Sequence, residues 1–219
     1  MGAVERHWSP EQFVKLVPAP KDAPGTRFSY DNTNDVLLGL VVEAVTKSDL
    51  ASVLRRDLWQ PLGLERLALQ DAQQLPAPLA QPGEDDEMPP GRRDLGYLPF
   101  RSVVSGLAAA GGAAGDAEAV ARWGYGLSGA AVLRPSTVSQ MTDFQDDDGY
   151  GLGTMDFTDR YWWKYNIDGF GHVGDLPGYR SVLAVIPARR ISVAILSPSS
   201  TETVPYVQYL LKAGGLLAG

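Results

Sequence analysis

Between Thr33 and Lys47 the apolar positions 36, 37, 38, 40, 41, 42, 44 and 45 leave almost no polar face. That density predicts a helix buried on nearly all sides. Before it, Ser9-Pro10-Glu11 opening an apolar stretch predicts a short helix over 9–16, with Ser9 as N-cap and Pro10 in the first turn. Pro18 and Pro20 break that pattern, and a turn-rich connection follows. A second, amphipathic helix is predicted from Asp49 to Trp59, stopped by Pro61-Leu62-Gly63. Residues 70–100 hold six prolines and the acidic run Glu84-Asp85-Asp86-Glu87, which predicts a long irregular excursion. A Gly-rich turn then leads to a helix capped by Asp116, and a short helix is expected near Pro135–Met141.

After residue 148 the pattern turns from helical to β-forming. Residues 150–157 and 160–167 are rich in aromatic residues, and 179–187 and 191–197 flank Ala188-Arg189-Arg190 as a hairpin. The tail carries apolar residues at 204, 207, 210 and 211, the spacing of a helix packed on that sheet. Helices first (8–145, with the loop 70–100), then antiparallel strands closed by a helix (146–219), make an α+β chain.

Composition narrows the partners. The net charge of −7 argues against nucleic acid and anionic membrane surfaces, which need a basic face. The pairs Arg55-Arg56, Arg92-Arg93 and Arg189-Arg190 are scattered and read as solvated surface. Without cysteine there is no disulfide and no thiolate chemistry. No apolar run reaches membrane-spanning length. The first residues lack the apolar core of a secretory signal, so the chain itself carries no address. No cofactor is expected. Gly124-Tyr-Gly126-Leu-Ser-Gly129 and Gly169-Phe-Gly171-His-Val-Gly174 have dinucleotide-loop spacing, but neither lies between a strand and a helix. Asp146-Asp147-Asp148 reads as a solvated turn, not a calcium loop. Two histidines, His7 and His172, are too few for a His-rich zinc site.

Two segments remain as candidate chemistry: Tyr30-Asp31-Asn32 at the mouth of the apolar helix, and Gly171-His172-Val173-Gly174-Asp175 before the hairpin. Taken singly, each has a structural reading: a satisfied phenol, helix caps at Asn32 and Thr33, a turn histidine. Together with their surroundings they resemble a known family. PGTRFSYDNTNDVLLGLVVEAVT, AAAGGAAGDAEAVARWGYGL, LRPSTVSQM, YGLG and GHVGDLPGYRSVLAVIP stand in the order of the conserved blocks of class C β-lactamases, D-alanyl-D-alanine carboxypeptidases and related serine esterases. The resemblance implies that Tyr30 helps manage a nucleophile's proton and that Asn32 positions substrate amide and a catalytic lysine. It makes His172-Val173-Gly174 the strand element edging the site, with Asp175 lending a backbone N–H to an oxyanion hole. Relays within hydrogen-bond reach and donors aimed at a developing oxyanion are what acyl transfer requires. His172 in place of that family's usual lysine removes a permanent cation and implies a looser, esterase- or peptidase-like preference for small-molecule or peptide amides and esters.

The family's Ser-x-x-Lys nucleophile motif is not in these 219 residues. Three positions before Lys15, Lys21, Lys47, Lys164 and Lys212 stand Gln12, Pro18, Ala44, Tyr161 and Tyr209. The expectation is therefore a single incomplete domain over 1–219, a partial β-lactamase/transpeptidase-like fold whose first strands and nucleophile helix are missing. Three explanations stay open: a portion of a longer hydrolase, one piece completed by a separate N-terminal segment, or a non-catalytic relative that binds peptides or other partners. Full-length relatives are often exported, so an address is expected with the missing segment. An unpaired sheet edge and a bare apolar face would leave the isolated chain poorly soluble or molten.

Overall fold

A capping box starts the first helix. The Ser9 hydroxyl accepts the Gln12 N–H at 3.3 Å, and the Gln12 side chain takes the Ser9 N–H at 3.1 Å. The computed structural model describes residues 3–20, 22–75, 78–82, 96–129, 131–144, 148–158 and 165–215. They fall into two units. One comprises Met1–Gln60, Glu65–Leu79 and Pro90–Gly115; the other comprises Pro61–Leu64, Ala80–Pro89 and Asp116–Gly219.

The first unit is mainly helical: α1 (Pro10–Val14), α2 (Asn32–Thr46), α3 (Leu50–Val53) and α4 (Arg101–Leu107), with a two-residue ribbon of β1 (Ala68–Leu69) and β2 (Ala113–Ala114). Asp31, not Asn32 or Thr33, caps α2: its carboxylate accepts the Thr33 N–H at 2.8 Å from an extended backbone. The all-round burial expected of α2 is not found. Val36 and Gly39 are buried against the rest of the unit, and a Cβ on Gly39 would lie 2.8 Å from that of Ala109. Leu37 (43%), Leu38 (61%), Val41 (56%) and Val45 (77%) face solvent. Apolar density reports what a helix is suited to pack against, and among the described residues of this unit only one side of α2 has a neighbour.

The predicted helix over 49–59 begins at its Asp49 cap as α3, then widens into a π-helical turn over Leu54–Trp59. Arg55 is not a solvated charge. Its guanidinium donates to the Leu67 carbonyl at 2.6 Å and to Gln73 Oε1 at 2.9 Å. Arg56 does face solvent, paired with Asp57. The helix α4 was not expected; its sequence, RSVVSGL, sits between a proline-rich stretch and a Gly-rich one that hide its short period.

The second unit carries α5 (Ala117–Ser128), α6 (Pro135–Met141) and an antiparallel sheet ordered β3 (Met155–Asp156), β4 (Phe170–Leu176), β5 (Tyr179–Ile186), β6 (Ile191–Ser197), followed by α7 (Val204–Ala213). The predicted hairpin is β5–β6, registered from Arg180↔Ser197 to Ile186↔Ile191. Alternate β5 residues Val182, Ala184 and Ile186 form one core with Val204, Val207 and Leu211 of α7. Each fully buried Val, Ile or Leu side chain there stabilises the fold by about 1.5–3 kcal/mol. Leu210, expected to join them, is exposed, because the buried stripe runs through 204, 207 and 211. The opposite face of the sheet meets α5 at Gly124, where a Cβ would come within 2.5 Å of Ser192 Oγ and 2.7 Å of Leu183 Cδ1. This glycine of the rejected dinucleotide spacing serves helix–sheet contact. Of the strand predicted over 160–167, residues 160–164 lie outside the described set and 165–167 are not a strand.

Candidate active site

Asp31 sets the geometry of the first candidate segment. By ending α2 in an extended residue it turns Tyr30 back over the first helical turn, where the phenol donates to Asn32 Oδ1 at 3.0 Å. Tyr30 is half exposed (50%), but the ring loses water where it lies against the protein. That desolvation, with the charges of Asp35 and Asp31 added, raises the phenol above its ordinary range. At neutral pH Tyr30 is a protonated donor. To act as a base it needs a cation beside it, the role a catalytic lysine fills in acyl transfer.

The second segment lies on β4, which is tightly held against β5. His172 registers with Leu183, Gly174 with Ser181 and Asp175 with Arg180. A two-residue turn, Pro177-Gly178, with Gly178 at φ +74°, closes the hairpin. A Cβ on Gly171 would lie 1.8 Å from the Leu183 carbonyl oxygen, so the backbone at His172 has no room to shift. The half-buried imidazole has Nδ1 2.6 Å from the Val173 carbonyl oxygen and Nε2 2.8 Å from the Tyr150 hydroxyl. The Asp175 carboxylate is exposed and pairs with Arg180 at 2.5 Å, leaving any oxyanion role to its backbone. Tyr179 at the turn donates to the Ala80 carbonyl at 2.9 Å, and burial pushes its phenol up to about 12.

Tyr30 and Asn32 thus belong to the first unit, and His172, Gly174 and Asp175 to the second; within each unit the named residues are brought together. Tyr150 was legible only as part of the YGLG block, not as a partner of His172. Of the aromatic cluster at 161–165, only Tyr165 is described; it packs edge-on to Phe157. The first unit also holds a cavity of about 250 Å³ lined by Val36, Leu50, Leu69, Ser105, His7 and Asp71. Asp71 is partly desolvated, yet hydrogen bonds from Arg101 (2.6 Å) and His7 (2.5 Å) hold its carboxyl below the ordinary range. Among the described residues no group of three or more His, Asp or Glu could hold a metal ion, and no helix is long and apolar enough to cross a membrane.

Helices beside an antiparallel sheet closed by a C-terminal helix define a β-lactamase/transpeptidase-like α+β fold. The Beta-lactamase family profile matches residues 12–211, and the chain belongs to that family of serine hydrolases and their relatives. Solved structures agree. A D-stereospecific amidohydrolase from Streptomyces sp. superposes with a TM-score of 0.71 at 24% identity, covering 88% of this chain and 57% of its own. The D-amino acid amidase from Ochrobactrum anthropi SV3, solved with L-phenylalanine amide, gives 0.76 at 17% identity, covering 96% and 65%. An octameric penicillin-binding protein homologue from Pyrococcus abyssi gives 0.74 at 22%, covering 94% and 48%. This chain therefore spans about half to two thirds of the length of these proteins.

Proposed function

We propose that this chain is the C-terminal portion of a serine hydrolase that cleaves small amides or esters through an acyl-enzyme, and that its serine and activating lysine come from polypeptide outside these 219 residues. The observation that carries the reading is the family match over 12–211 in a sequence with no Ser-x-x-Lys. Tyr30 handles the nucleophile's proton and Asn32 holds the substrate amide. His172 and Gly174 edge the bound acyl group, and the backbone N–H of Asp175 donates to the oxyanion. The exposed apolar stripe Leu37-Leu38-Val41-Val45 is consistent with the reading, since it is a surface suited to a further segment and the related structures are longer than this chain. The likeness to an amidase solved with an amino acid amide supports a small amide or ester as substrate rather than a macromolecule. By itself the chain forms no acyl-enzyme.

Fusing the chain to the coding stretch that precedes it provides the test. Hydrolysis of p-nitrophenyl esters or D-amino acid amides is expected, abolished by alanine at the supplied serine. Tyr30→Phe should lower kcat by about 10²-fold or more, the usual scale of a lost proton relay. A preceding stretch without Ser-x-x-Lys, or turnover indifferent to Tyr30→Phe, would overturn the proposal.

A further inference from the structure

The hydrogen bonds of His172 to Val173 and Tyr150 fit one neutral arrangement. A carbonyl oxygen only accepts, so Nδ1, 2.6 Å from the Val173 oxygen, carries the ring proton. In a neutral imidazole Nε2 is then a lone pair, and the hydroxyl of Tyr150 at 2.8 Å is its donor. The two rings meet edge-to-face, 5.7 Å apart at 88°.

The position of Tyr150 is built by its surroundings. It lies on a tight turn whose ends bridge at Tyr150↔Met155. Gly151 N–H donates to the Thr154 carbonyl at 2.8 Å, and Leu152 N–H and the Thr154 hydroxyl both reach the Met141 carbonyl at the end of α6. A Cβ on Gly151 would sit 2.0 Å from that same Met141 oxygen, so only glycine permits the turn to press this close. On the other side, β4 is clamped to β5 at Gly171. The turn carrying Tyr150 and the strand carrying His172 are each fixed by backbone contacts.

We infer that Tyr150 is a positioning residue that locks His172 as the neutral Nδ1–H tautomer. The strand element His172-Val173-Gly174 then offers substrate an uncharged polar edge with Nε2 already engaged. Such an edge favours substrates that are uncharged where they meet β4, amides and neutral esters, over those bearing a carboxylate there, which would need a cation. The specificity half of this inference rests on the hydrolase reading above; the tautomer half does not.

Histidine-selective ¹⁵N labelling tests it, because the chain has only two histidines and His7→Gln assigns the pair. The spectrum is readable in solution and in sedimented solid alike. With the ring neutral, the expected result is a protonated Nδ1 and an unprotonated, hydrogen-bonded Nε2 at His172. In Tyr150→Phe the Nε2 resonance should shift as the phenol hydrogen bond is lost, with His7 unchanged. An Nε2-protonated His172 in the unaltered chain, or a His172 signal unmoved by Tyr150→Phe, would overturn the inference. In the fused, active protein Tyr150→Phe should shift the ratio of kcat/KM for neutral over carboxylate-bearing esters by about tenfold, whereas a merely structural defect lowers both equally. If the tautomer is locked but the fused protein hydrolyses nothing, the hydrolase reading fails and the positioning role stands.

Discussion

At Tyr30 and Tyr179 burial, more than proximity of partners, sets the proton chemistry of the phenol. Desolvation is the leading cause at both, and at Tyr165 as well, and in each it disfavours the phenolate. A group whose folded pKa is raised contributes stability that is fully present below its unfolded value, about 10 for tyrosine, and lost as pH climbs through the folded one. The melting temperature should therefore hold up to about pH 10 and decline between there and about 12, with Tyr179 ionising at the upper end of that range in a spectrophotometric titration. Tyr179→Phe should soften the decline. Normal tyrosine ionisation near pH 10 for all phenols, with no alkaline loss of stability, would contradict this account.

At the scale of elements, β4 is where sequence dictates geometry most tightly. A side chain at Gly171 meets the Leu183 backbone oxygen, which cannot yield without breaking the β4–β5 ladder; one at Gly174 meets only the Ser181 hydroxyl, which can rotate. Gly171→Ala should cost about 1–3 kcal/mol or more, and Gly174→Ala distinctly less, by denaturant unfolding. Equal losses at both positions would refute the distinction. The β5–β6 hairpin, α5, α6 and α7 were legible because period, caps and breakers agree, as at Asp116 and Pro135. The helix α4 was not, because seven residues between a proline-rich and a glycine-rich stretch give too little period to read. The π-helical turn at 54–59 was not either: Arg55 is held by Leu67 and Gln73, partners that no local pattern announces. Tyr30, Asn32 and His172 could be singled out by motif order, but the Tyr150–His172 contact depends on a turn whose closeness only the folded backbone reveals.

For the molecule as a whole, the consequence of α2 is an apolar stripe in water, and β6 is an outer strand of the described sheet. Stripes of this kind mark surfaces meant to be covered. The chain should bind a hydrophobic dye and self-associate, and Leu38→Gln with Val45→Gln should reduce both without lowering the melting temperature, since neither side chain is buried. Dye binding unchanged in that variant would locate the exposed surface elsewhere. Under the proposed function, these residues contribute to an acyl-transfer site without supplying its nucleophile. Intact-mass analysis of the 219-residue chain after incubation with a fluorescent penicillin and with an activated ester tests it most directly. The expected mass is that of the unmodified chain with both reagents, whereas a stoichiometric acyl adduct mapping to one serine would contradict the account.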